Sequence, residues 1–128
     1  MDDISNIRVT EANNAFLKRL TDEESLFAED KIAAIFAIAY AINNDLDLTL
    51  NGDYSIPSPT VNKWDAASID PAGIFRLLVQ IRHANVECPF RVLQAVMNLG
   101  LEKMRKEAPD TGFVKISSFI KNEENNEI

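Results

Sequence analysis

At 128 residues, 46% of them apolar, the chain is long enough to bury a core of its own without disulfides or a structural metal. A single cysteine excludes an intrachain disulfide, and a formal charge of −7 argues against independent high-affinity binding to a phosphate backbone. The charge is uneven: residues 1–53 hold eleven acids against Arg8, Lys18, Arg19 and Lys31, whereas from Tyr54 to Gly112 seven bases face six acids, which leaves room for a local basic face.

In chain order, Ile7 and Val9 alternate with Asn6, Arg8 and Thr10, compatible with a short strand or an extended lead-in. Thr10 suits an N-cap, with Glu11 where the helix dipole favours an acid. Ala12, Ala15, Phe16 and Leu20 follow at helical spacing, and the helix is expected to stop by Thr21, before the acidic connector Asp22-Glu23-Glu24-Ser25. The run from Ile32 to Ile42 then carries no charge, and Tyr40 has its only hydrogen-bonding side chain. A helix apolar all round must be surrounded by protein, and this one is too short for a bilayer, which needs roughly 20 such residues. It predicts a central helix at about 28–43, ending at Asn43 and Asn44, residues suited to a left-handed C-terminal position.

Leu46, Leu48 and Leu50 alternate with Asp47 and Thr49 and stop at Asn51-Gly52-Asp53, which predicts a small hairpin near 46–56 inside a long loop. Pro57 and Pro59 limit any returning strand to an edge. Asp70 and Pro71 read as the N-cap and first position of the next helix. Ile74, Leu77, Leu78 and Ile81 form its expected inward stripe, widened by Phe75 and Val79. After a turn at Asn85 to Pro89, a long helix is expected from about Phe90 to Lys106, with Leu93, Val96, Met97, Leu101 and Met104 inward and Arg91, Gln94, Lys103 and Arg105 outward. Gly100 inside it signals a close helix contact or an early break. Pro109, Asp110 and Gly112 close the element, Val114 to Ile120 suits one more turn or short helix, and Asn122 to Ile128 reads as a disordered polar tail. The expected fold is mainly α: a single-domain bundle of four to five helices over residues 1–121, packed around the central helix.

The side chains nominate no catalytic constellation. His83, the only histidine, reads as a surface residue of a helix C-terminal turn, and Cys88 as a small buried hydrophobe. Asp45, Asp47, Asn51 and Asp53 miss the EF-hand spacing, and the four glycines form no phosphate-cradling loop. No cofactor or metal is expected. Arg76, Arg82, Arg91, Lys103, Arg105 and Lys106 all lie on the two late helices, where they form either a solvated face with pairs such as Glu102 with Lys106 or a face for an acidic partner or a phosphate. Trp64 is a further candidate interface anchor.

Ile7-Arg8-Val9, the run Phe16-Leu17-Lys18-Arg19-Leu20-Thr21-Asp22, Phe27, the apolar Ala33 to Tyr40 helix and Asn98-Leu99-Gly100-Leu101-Glu102-Lys103-Met104 together resemble the small proteins called Dnd-system-associated protein 4. The pattern is also similar to DndE, a helical subunit of the DNA phosphorothioation complex linked to DNA through lysines, from which the acidic first half departs. The resemblance implies a non-enzymatic accessory subunit of bacterial anti-phage defence, docking onto a larger protein such as an ATPase or nuclease. Self-association stays open. The alternative is a small DNA-binding regulator, since a strand followed by two helices resembles a ribbon-helix-helix repressor. With one cysteine, no apolar signal run in residues 1–30 and Asp2 and Asp3 at the start, the expected location is cytoplasmic, without a membrane anchor.

Overall fold

The opening alternation does form a strand, β1 (Asn6–Thr10), with Ile7 and Val9 fully buried and Arg8 exposed between them. The computed structural model describes residues 2–50, 52–83 and 87–108 together with Lys115, Ser117 and Phe119. The expected stop at Pro109 to Gly112, the tail from Asn122, and most of the Val114 to Ile120 turn fall outside those residues. Among the described residues the fold is mainly helical, with five α-helices and one two-stranded antiparallel sheet.

Thr10 caps helix α1 (Glu11–Lys18) as its residue type predicts: its Oγ1 accepts from the Asn13 N–H at 3.2 Å. The chain continues through a π-helical turn, Arg19–Glu23, in which the Thr21 hydroxyl donates to Leu17 O and to the Asp30 carboxylate, both at 3.0 Å. Asp30 also receives Lys18 at 2.6 Å, and hydrogen bonding to that carboxylate raises the lysine pKa.

Helix α2 (Asp30–Asn43) is the apolar run. Ala33, Ala34, Ala37, Ile38 and Ala41 are fully buried, and only Ile32, Ala39 and Asn43 are exposed. It packs chiefly on helix α5 (Pro89–Glu107), where Leu93, Val96, Met97, Leu101 and Met104 are all fully buried, as the 3.6-residue spacing requires. Each such side chain removed from water contributes roughly 1.5–3 kcal/mol. Gly100 sits where the two helices touch: a Cβ there would lie 2.3 Å from Ala37 O and 3.2 Å from Ala41 Cβ. Close helix contact, rather than an early break, accounts for the glycine.

Three corrections to the reading of the sequence arise in these elements. Leu46 to Leu50 forms no hairpin; Leu46–Thr49 is a 3₁₀ turn entered through Asp45, which takes the left-handed conformation (φ 57°) expected of the asparagines before it. The period-2 pattern loses because Asp47 is fully buried on a cation from another helix, which fixes the turn. The strand that pairs with β1 comes later: β2 (Thr60–Asp65) starts directly after Pro59 and runs antiparallel, Ile7 opposite Trp64 and Val9 opposite Asn62, with an irregularity next to Thr10. Gln94 is the third: expected outward, it is buried.

Its reason is the second edge of β1. The Arg8 N–H donates to Gln94 Oε1 at 2.9 Å, the Thr10 N–H donates to Asn98 Oδ1 at 3.1 Å, and Asn98 Nδ2 donates to Arg8 O at 3.0 Å. Two side chains of α5 thus take the place of a third strand, satisfying backbone groups that would otherwise be buried and unpaired. Asp3 fixes the N-terminal end of the same helix, accepting from the Phe90 and Arg91 N–H groups at 2.9 Å each.

Candidate functional site

Helix α3 (Ala66–Ile69) leads into helix α4 (Ile74–Arg82), where three of the four residues of the expected inward stripe face solvent. Six of the nine α4 residues are apolar, too many for one face. Val79 is fully buried, and Phe75 and Leu78 pack against the core beside it. Ile74, Leu77 and Ile81 are exposed at 59%, 58% and 70%. These positions, i, i+3 and i+7, make one stripe along the solvent face. The helix also begins later than expected. Asp70 does cap it, accepting from the Phe75 and Arg76 N–H groups at 3.1 and 3.0 Å, but across a turn in which Pro71 is not helical and Gly73 takes φ 74°.

Both ends of α4 are clamped by acids. Asp70, 3% exposed, binds Arg76 Nε at 3.0 Å, and the Arg76 guanidinium lies 4.7 Å over the Phe90 ring. At the other end, Arg82 Nη1 lies 2.7 Å from Asp45 and 3.1 Å from Asp47, and hydrogen bonding to Asp45 raises the pKa of the guanidinium. His83 follows. It caps the C-terminus through its N–H to Val79 O (2.8 Å), yet its side chain is mostly covered, 15% exposed, rather than free at the surface: Nε2 lies 3.7 Å from Asp47 Oδ2, and Tyr54 meets the ring edge-on at 5.9 Å. Neither Nε2 nor Oδ2 has a hydrogen-bond partner among the described residues. The exposed stripe is therefore carried on a rigid helix whose cations are already neutralised.

The structure distributes the other sequence-nominated residues rather than gathering them. Lys103 pairs with Glu107 at 3.5 Å and Lys106 with Glu102 at 3.0 Å, both exposed i,i+4 pairs. Arg91 sits at the opposite end of α5 from them, about 18 Å away by helix rise, with its Nη2 3.5 Å from Asp2 O. Arg105 is exposed. Trp64 is half-buried against the core in β2. Cys88 is buried, as its residue type suggested. Asp45 and Asp47 meet on Arg82, and Asp53 accepts from Ser55, so these acids serve the turn.

Among the described residues, fold and surface together define a mainly α-helical domain with a small sheet and an apolar helix face that none of them covers; no described helix is long and apolar enough to cross a membrane. No protein-family model, curated protein or solved structure matches the chain.

Proposed function

We propose that this chain is a non-enzymatic, cytoplasmic interaction subunit, a helical bundle that docks onto a larger protein of a bacterial anti-phage defence or DNA modification-restriction system. The observation that carries the reading is the α4 stripe of Ile74, Leu77 and Ile81. An exposed i, i+3, i+7 set on a short helix is the pattern that enters an apolar groove on another protein. Because Arg76 and Arg82 are already paired with acids of the same chain, covering the stripe strips no free charge of water. The groove that fits has a basic rim, since Asp45 stands 64% exposed beside the stripe's C-terminal end and the whole chain is at −7. The resemblance to the Dnd-associated proteins supplies the defence context.

The interaction reading is preferred to the DNA-binding regulator on one further observation. A ribbon-helix-helix dimer needs a free strand edge to pair with its partner's, and both edges of β1 are occupied, one by β2 and one by Gln94 and Asn98. The test is purification of the tagged chain from its native host. A larger protein encoded beside it should elute in fixed stoichiometry, and Leu77→Asp with Ile81→Asp should abolish its recovery while the melting temperature holds. Unchanged recovery with the double variant would remove α4 from the proposal. Retention of DNA by the chain alone in a low-salt gel shift would favour the regulator instead.

A further inference from the structure

Where the segment 3–8 runs beside the first two turns of α5, the two form a cleft of about 420 Å3, within the size range of small-ligand sites. No residue of α4 lines it, so nothing below rests on the docking face. Its lining holds donors that no described residue uses. Gln94, 8% exposed, gives its Oε1 to the Arg8 N–H, while its Nε2 donates to nothing among the described residues and is not sealed from solvent. Arg91, its neighbour one turn earlier on α5, has a sealed Nε and an Nη2 3.5 Å from Asp2 O; its Nη1 stays open to solvent, without a partner among the described residues. Ser5 and Asn6 add a hydroxyl and a side-chain amide. Asp3, the acid of the lining, is already committed: the N–H groups of Ile4, Phe90 and Arg91 all donate to its carboxylate at 2.9 Å.

The charges around this cleft also stand apart from the rest of the chain. Lys18, Arg19, Arg76, Arg82, Lys103 and Lys106 each lie on an acid of their own chain. Arg8 and Arg91 line the cleft, Lys63 stands opposite Arg8 in the β1–β2 register, and none of the three lies within ion-pair distance of a described acid. Asp2 and Asp65 are exposed to water and do not line it. Donors and positive charge with no free acceptor select an acceptor-only anion, and two cations in the lining favour a dianion over a monocarboxylate. Ile4 is the apolar residue of the lining and no aromatic residue belongs to it, so a nucleobase has no platform on which to stack. A long polyanion is repelled by the net charge of −7 more than a small dianion is.

We propose that this cleft binds the phosphate monoester of a small hydroxylated molecule, a sugar phosphate. Gln94 Nε2 and Arg91 Nη1 donate to the phosphate oxygens, and Arg8, with Lys63 opposite it, balances the second charge. The volume exceeds what a bare phosphate group fills, and the Ser5 and Asn6 side chains meet the hydroxyl groups of the remainder.

The probe is glucose 6-phosphate, titrated into the full chain at constant ionic strength by calorimetry and by amide NMR. At ordinary ligand efficiency its roughly 16 non-hydrogen atoms give a Kd on the order of 0.3 mM. The side-chain amide signals of Gln94 should shift. Glucose should not bind, and inorganic phosphate should bind at least about tenfold more weakly than the ester. Gln94→Glu keeps an acceptor for the Arg8 N–H and replaces the donor with a negative charge, so it should abolish binding while the melting temperature holds. Arg8→Gln should weaken binding at least about fivefold; Arg8 is exposed and its backbone N–H, which makes the contact to Gln94, is untouched, so the fold is retained whatever Gln94→Glu does to it. Leu77→Asp should leave binding of the ester unchanged, which separates this site from the docking face. Absence of any shift up to about 10 mM glucose 6-phosphate, an unchanged affinity in Arg8→Gln, equal affinity for inorganic phosphate, or tighter binding of a single-stranded oligonucleotide than of the ester would each overturn the proposal.

Discussion

Position 100 shows how one methyl group is decided by its neighbours. In an isolated helix Gly→Ala gains about 1 kcal/mol, but here the new Cβ would meet the Ala37 carbonyl oxygen at 2.3 Å, a backbone atom that cannot swing aside. Gly100→Ala should therefore destabilise by about 1–3 kcal/mol, with α2 and α5 forced apart, readable as a lower urea midpoint. Asn98 is the second informative residue. It serves the Thr10 N–H, Arg8 O and Asn13 Nδ2 together, so Asn98→Leu keeps the volume while orphaning several buried groups at about 1–3 kcal/mol each. A loss of less than about 1 kcal/mol in the same unfolding experiment would show that β1 does not depend on this residue. Tyr40 adds a pH-dependent case. Burial, with the Glu107 carboxylate as the lesser cause, pushes its phenol well above the ordinary value of 10.0. The folded pKa exceeds the unfolded one, so the stability it contributes is fully present below pH 10 and is lost as the pH rises beyond it. Tyr40→Phe should flatten the alkaline loss of stability, and absorbance at 295 nm should show the Tyr40 phenolate forming only as the chain unfolds.

At the scale of elements, α4 and α5 divide what the sequence could and could not reveal. The α5 stripe was legible because its buried positions recur every three or four residues and charged side chains fill much of the opposite face. Helix α4 is apolar on two faces, and the spacing alone gives no way to choose between Ile74-Leu77-Ile81 and Phe75-Leu78-Val79. The choice is made elsewhere, by Asp70, Asp45 and Asp47, which seize Arg76 and Arg82 and so fix the rotation of the helix. Strand β2 was missed for a related reason. Its alternation is present in Thr60 to Asp65, but the nearby Asn-Gly turn pointed to a local partner, whereas the real one is β1, more than fifty residues earlier. Of the candidate site, the residue types were visible in the sequence and their grouping was not: Arg76, Arg82, Lys103 and Lys106 each pair with a local acid, Arg91 reaches a backbone carbonyl, and Arg105 is exposed. A paired substitution checks the rotation of α4. Leu77→Asp should change stability by less than about 0.5 kcal/mol, while Val79→Ala, at a fully buried position, should cost about 2 kcal/mol in thermal or urea unfolding.

For the whole molecule, the charge of −7 acts at a distance that no single contact reaches. If a basic-rimmed groove receives α4, the association rate should fall several-fold between about 0.05 and 0.3 M salt while dissociation changes little, measurable by surface plasmon resonance. Salt-independent association would place the partner's recognition on apolar contact alone.

The hydrogen bonds that close β1 onto α5 join residues 86 to 90 positions apart, and Asp3 reaches 87 and 88 positions forward to start that same helix. A ribosome adding about 5–20 residues per second thus releases the strand roughly 4–18 s before its closing partner has been made. During that interval the nascent chain carries an open strand edge, a template for pairing with other chains. The domain is consequently built to fold only once α5 has been made, and a nascent chain halted before α5 should stay protease-sensitive however long it waits.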